Sequence, residues 1–194
     1  MKIGVFSGSF NPIHTGHAMI ANYVVQTCGL DQVWLMVSRR NPLKSDSNPA
    51  DDLDRLEMVK SVTARNPRLK ASAFELSLPA PSFTYRTLGM LRERYPEDEF
   101  ALIIGSDNWL DFNLWRDHDR IVAEFRIIVY QRPGFYIPAE EAGVLPANVT
   151  LLQNAPLAEI SSTFIREGVK KGMNLSFFLP DEVLDYIKRR NLYE

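Results

Sequence analysis

The chain has 194 residues, 45% of them hydrophobic, with 22 Lys and Arg set against 24 Asp and Glu for a formal net charge of −2. So slight a balance excludes a global electrostatic pull toward nucleic-acid polymers or anionic membranes, while a local basic cleft for a small polyphosphate would hardly alter it. The single cysteine, Cys28, excludes an internal disulfide and an all-cysteine metal site, and no apolar run is long enough to span a bilayer. The expectation is a soluble cytoplasmic protein with one domain over residues 1–194, homo-oligomerisation being left open.

Apolar runs of strand length alternate with helical periodicity along most of the chain, which predicts the α/β class with a parallel sheet covered by helices. The first strand spans 2–6 and opens onto Gly8-Ser9-Phe10-Asn11-Pro12-Ile13-His14-Thr15-Gly16-His17. A helix over 17–28 follows and stops at Gly29, a suitable C′ residue. A strand at 32–37 leads into a long loop over 39–51, with Pro42 and Pro49, and then into a helix over 52–64. Next come a strand at 69–73, a helix over 84–95 that stops before Pro96, and strands at 100–104 and 125–129. An irregular stretch over 131–148 precedes a last strand at 149–152 and two helices, 162–172 and 181–191. Ligands of open α/β sheets bind beyond the carboxyl ends of the strands, so the first strand's His-bearing turn and Gly105-Ser106-Asp107 after the fourth should face one crevice.

The turn after the first strand reads as a phosphate site. Its glycines allow close backbone approach, the helix that follows begins with unpaired N–H groups, and His14 and His17 share one helical face. A neighbouring polyphosphate favours charged imidazoles, which donate hydrogen bonds to its oxygens. Zinc would need a third ligand, and Cys28 lies at the far end of the same helix, so no metal is assigned to these side chains. Ser161-Ser162-Thr163 at a helix start, with Arg166 one turn in, makes a second anion site. Asp107, just past a strand end, is placed to accept from ribose hydroxyls, with Gly105 permitting close approach. Trp115 and the segment around Thr84 offer a flat surface and backbone donors for a second substrate. Arg55 and Arg86 read as helix-surface cations, Trp34 and Trp109 as packing residues, and Lys188-Arg189-Arg190 as charge complementing a helix dipole.

The His-x-Gly-His tetrad resembles that of a nucleotidyltransferase superfamily. Ile104-Gly105-Ser106-Asp107-Asn108-Trp109, Trp115, Arg132-Pro133-Gly134 and Ile160-Ser161-Ser162-Thr163-Phe164-Ile165-Arg166 resemble the successive motifs of its nicotinate-mononucleotide adenylyltransferases. The resemblance implies a Rossmann-like doubly wound parallel sheet with a small C-terminal helical extension. It also implies transfer of an adenylyl group from ATP to a pyridine mononucleotide in NAD biosynthesis. It casts His14, His17 and Arg166 as catalytic, and Gly8, Ser9, Phe10, Lys44, Gly105, Asp107, Ser161 and Ser162 as ATP-binding. Thr84 and Trp115 are cast at the pyridine, and Mg2+ is held mainly by the ATP phosphates. Gly8-Ser9-Phe10-Asn11-Pro12 departs from the Gly-Gly-Thr-Phe-Asp-Pro usual in bacterial nicotinate-type enzymes. That leaves open a nicotinamide or dual preference, beside a pantetheine-phosphate adenylyltransferase, a cytidylyltransferase and a non-catalytic nucleotide-binding module.

Overall fold

A computed structural model describes residues 1–39 and 50–194. Among the described residues six strands form one sheet: β1 Lys2–Gly8, β2 Gln32–Val37, β3 Leu69–Ser72, β4 Glu99–Gly105, β5 Arg126–Tyr130 and β6 Val149–Leu152. All pairings are parallel, in the order β3-β2-β1-β4-β5-β6. The helices are α1 Thr15–Thr27, α2 Asp52–Thr63, α3 Thr84–Arg94, α4 Ser106–Leu110, α5 His118–Glu124, α6 Ala139–Ala142, α7 Ser162–Lys170 and α8 Asp181–Arg190. Among the described residues no helix is long and apolar enough to cross a membrane.

Alternation along β1 explains why the sheet is covered on both faces. Ile3 and Val5 join Leu88, Leu91, Leu102 and Ile121 in one core, beneath α3 and α5. Phe6 joins Val24, Met58, Ile165 and Val183 in the other, beneath α1, α2, α7 and α8. Each fully buried Ile or Leu contributes roughly 1.5–3 kcal/mol, so two such layers outweigh the low intrinsic propensity of several short helices. The doubly wound sheet with its C-terminal helical pair is therefore the arrangement expected from the sequence.

The order reverses between β1 and β4, and β1 ends at Gly8 beside Val37 while β4 ends at Gly105 beside Tyr130. Both turns open at one edge, on either side of the switch point, where a crevice forms. The structure shifts or adds to the sequence reading at three places. The first helix begins at Thr15 because His14, extended at φ −137°, is its N-cap, and the polar stretch between β4 and β5 carries α4 and α5, too short for apolar periodicity to reveal. The stretch expected to be irregular after β5 contains α6. Gly29, at φ 66°, closes α1 as expected. Arg190 does more than complement a helix dipole, since its Nε lies 3.1 Å from Oδ1 of the buried Asp54, which also accepts from the Tyr186 hydroxyl at 2.8 Å.

Candidate active site

Beyond Gly8 the chain turns through Ser9, Phe10 and the cis Asn11-Pro12 bond into α1. Phe10 adopts a left-handed φ of 45°, at a cost of about 1–2 kcal/mol. Burying its ring returns roughly 1.5–3 kcal/mol, so the turn is held. That ring is 1% exposed and meets the His17 ring edge-on, 5.1 Å between centroids. Phe10, expected at the nucleotide, therefore turns its side chain into the core and supports His17 from behind. Gly8 lies directly against it, since a Cβ there would stand 3.0 Å from the Phe10 ring.

His14 and His17, at the N-cap and third position of α1, stack with centroids 3.7 Å apart and an interplanar angle of 26°. Gly16 leaves room for this, because a Cβ there would lie 3.1 Å from His14 Nδ1. The His14 backbone N–H donates to His17 Nδ1 at 3.3 Å. A backbone amide can only donate, so neutral His17 accepts at Nδ1 and carries its proton on Nε2. Burial pushes His14 down to about 4, with the Arg132 charge adding to it. Burial, then His14 and Arg132, hold His17 well below the ordinary histidine range. Both shifts favour neutral imidazoles in the ligand-free protein, while the charged forms expected from the sequence belong to the phosphate-bound state. His17 still presents Nε2–H as a donor.

This neutrality has a measurable cost in acid. An unfolded chain protonates its histidines near 6.5, while the folded protein resists until about 4 for His14. Unfolding therefore takes up protons between these values, and stability, unaffected above pH 7, falls as pH drops through that window. His14 alone accounts for about 3 kcal/mol once both values are passed. Urea denaturation of wild type and His14→Gln from pH 7 to pH 4 should show the variant losing less; parallel curves would overturn the assignment.

The facing wall is the start of α7. Ser161 is its N-cap, accepting from the Phe164 N–H at 3.1 Å. Ser162 donates its hydroxyl to the Pro12 carbonyl at 2.9 Å, so it ties α7 to the His-bearing turn instead of offering that hydrogen to phosphate. Arg166 Nη1 donates to the Asn11 carbonyl at 2.9 Å and Nη2 to Thr163 Oγ1 at 3.3 Å. The first N–H of α1, from Thr15, is taken by the Phe178 carbonyl at 3.1 Å. The start of α1 therefore has one fewer free N–H than the sequence reading counted on.

Ser9, His14, His17, Ser161, Ser162 and Arg166 line one cleft of about 1020 Å³. The carboxylates at its rim are engaged: Asp51 accepts from the Asp54 N–H, and Asp52 pairs with Arg55 at 2.5 Å. Arg132 also lines it and donates from Nη1 to Asp107 Oδ2 at 2.6 Å, while Asp107 Oδ1 is buried without a partner. A Cβ at Gly105 would lie 2.4 Å from Asp107 Oδ1 and 2.6 Å from Arg132 Cδ. Gly105 thus makes room for this ion pair.

The model of the cytidylyltransferase-like family matches residues 5–168. A Bacteroides fragilis protein named "Probable nicotinate-nucleotide adenylyltransferase" is 48% identical over 178 residues, covering 92% of this chain and 87% of that protein. The chain belongs to the nicotinate-nucleotide adenylyltransferase family. A Flavobacterium johnsoniae protein of the same name is 42% identical over the full length of both. The solved Plasmodium falciparum nicotinic acid mononucleotide adenylyltransferase complexed with NaAD superposes with a TM-score of 0.82, covering 99% of this chain and 97% of that one. Its 23% identity limits that likeness to the fold.

Not every expected site residue of this nicotinate-nucleotide adenylyltransferase family member lines the cleft: Gly8, Phe10, Gly105 and Asp107 are outside its described lining. Thr84, at the start of α3, and Trp115, packed 5.2 Å from Phe112, are both outside the described lining of the main cleft. Lys44 falls outside the described residues. Conversely, Arg55 is only 3% exposed and donates to the Ser9 carbonyl, contrary to its reading as a helix-surface cation. Nothing in its local sequence separates it from a solvated arginine. Arg132 was accessible to the strand-end rule, since it follows β5 as Asp107 follows β4.

Proposed function

We propose that this chain is an adenylyltransferase of NAD biosynthesis, joining ATP to nicotinate mononucleotide to give nicotinate adenine dinucleotide and pyrophosphate. The observation that carries the reading is the pair of facing anion-binding walls in one cleft at the strand ends, His14 and His17 against Ser161 to Arg166. The names of the curated relatives supply the substrate class.

A phosphate oxygen of the mononucleotide attacks the α-phosphorus of ATP, and the bond to the β-phosphate oxygen breaks as pyrophosphate leaves. No protein nucleophile is needed; the chain's task is in-line positioning and neutralisation of charge on the phosphate oxygens. His17 Nε2–H and His14 face the reacting phosphates, while Arg166 and the start of α7 take the leaving pyrophosphate. Asp107 is assigned to the ribose, which its unpartnered Oδ1 supports. Thr84 and Trp115 are assigned to the pyridine end, and Lys44 to the phosphates, on the motif resemblance.

Among the described residues no group of three or more His, Cys, Asp or Glu converges to hold a metal. Hydroxyl, imidazole and guanidinium donors fit a divalent cation carried by the triphosphate. Mg2+ so bound would neutralise phosphate charge. The deciding assay is pyrophosphate release from ATP and Mg2+ with nicotinate or nicotinamide mononucleotide in parallel, the product identified by mass. Strong preference for the nicotinate form is expected. Equal rates, or release with neither, would overturn the substrate assignment.

A further inference from the structure

The segment after α8 reaches back to the phosphate turn. Tyr193, 1% exposed, donates its hydroxyl to Asn11 Oδ1 at 2.8 Å, and the Ala50 N–H donates to the same oxygen at 3.2 Å. Asn11 is 3% exposed and lines the cleft. A backbone N–H has no acceptor role, so Ala50 identifies which end of the amide is oxygen. With the two hydrogen bonds held by Oδ1, the amide orientation is set and Nδ2 is left as the donor for the cleft.

We propose that Tyr193 is a positioning residue that, with Ala50, aims Asn11 Nδ2 at the triphosphate. This rests on the adenylyltransferase reading for the ligand's identity, but the orientation argument requires only an anion in the cleft. It also gives a physical role to the asparagine by which this turn departs from the usual aspartate. An aspartate would accept the same two hydrogen bonds yet present a second carboxylate oxygen, not a donor, to the phosphates. Arg166 binds the Asn11 carbonyl, so backbone and side chain of this residue are both held by the C-terminal part of the chain.

The test is calorimetric titration with inorganic tripolyphosphate at pH 8, beside steady-state kinetics and melting temperature. Tyr193→Phe keeps the ring and removes the hydroxyl; tripolyphosphate should bind about tenfold more weakly, KM for ATP should rise by a similar factor, and kcat should stay within about twofold. Asn11→Asp should weaken tripolyphosphate at least as much, which keeps the idea testable should the Tyr193 variant fold poorly. Tyr186→Phe removes a hydroxyl bound to Asp54 and not to Asn11, and should leave tripolyphosphate binding unchanged. Wild-type affinity in Tyr193→Phe and Asn11→Asp, equal weakening in Tyr186→Phe, or no tripolyphosphate binding by the wild type would overturn the proposal. Binding that follows the expected pattern in a protein inactive with pyridine mononucleotides would instead overturn the adenylyltransferase reading alone.

Discussion

His17→Ala is expected to lower kcat on the order of a thousandfold, with KM for ATP changed only a few-fold. The reason for the split is that ground-state phosphates keep the α7 wall and Arg166, whereas the variant loses the Nε2–H donor nearest the histidine-lined side of the cleft. The donor is already neutral and aimed, because Nδ1 is held by the His14 N–H and burial keeps the ring unprotonated. No proton need be acquired before it donates. Truncating this half-buried ring also removes its contacts with Phe10 and His14, at a stability cost of about 1–2 kcal/mol. A folded His17→Ala protein with kcat within threefold of wild type would remove the histidine from the mechanism.

The second large effect is expected at Arg166, where lysine should serve little better than alanine. The guanidinium spans the Asn11 carbonyl and Thr163 Oγ1 with two different nitrogens while facing the cleft. A lysine ammonium is a single point charge on a flexible stem and cannot reproduce that fork. Both Arg166→Lys and Arg166→Ala should lower kcat/KM by roughly a hundred- to a thousandfold. Pyrophosphate should weaken in parallel as a product inhibitor, since the role assigned to Arg166 is to hold the leaving group. Near-wild-type activity in Arg166→Lys would show that charge alone suffices and that the fork is incidental.

Legibility differed sharply between one part of the site and the next. The first strand, the Gly/His turn and the α7 serines were readable because each is a local pattern: an apolar run, a glycine at a turn, a hydroxyl at a helix start. Boundaries shifted where a side chain made an unusual cap, as at His14. The segment between β4 and β5 was opaque because α4 and α5 are only 5 and 7 residues long, too short for a period of 3.6 to declare itself.

By itself the sequence determined the α/β class, the place of the crevice at the switch point, two segments with the chemistry of an anion site and the motif resemblance, all written in neighbouring residues. Only the tertiary structure decided that the histidines are neutral, since desolvation depends on what packs around them. It likewise committed the Ser162 hydroxyl to Pro12 across 150 residues, buried Arg55 under Ser9 across 46, and brought Tyr193 to Asn11 across 182. A donor's partner at such separations is selected by how two cores close around one sheet, and the residues flanking each donor carry no record of it.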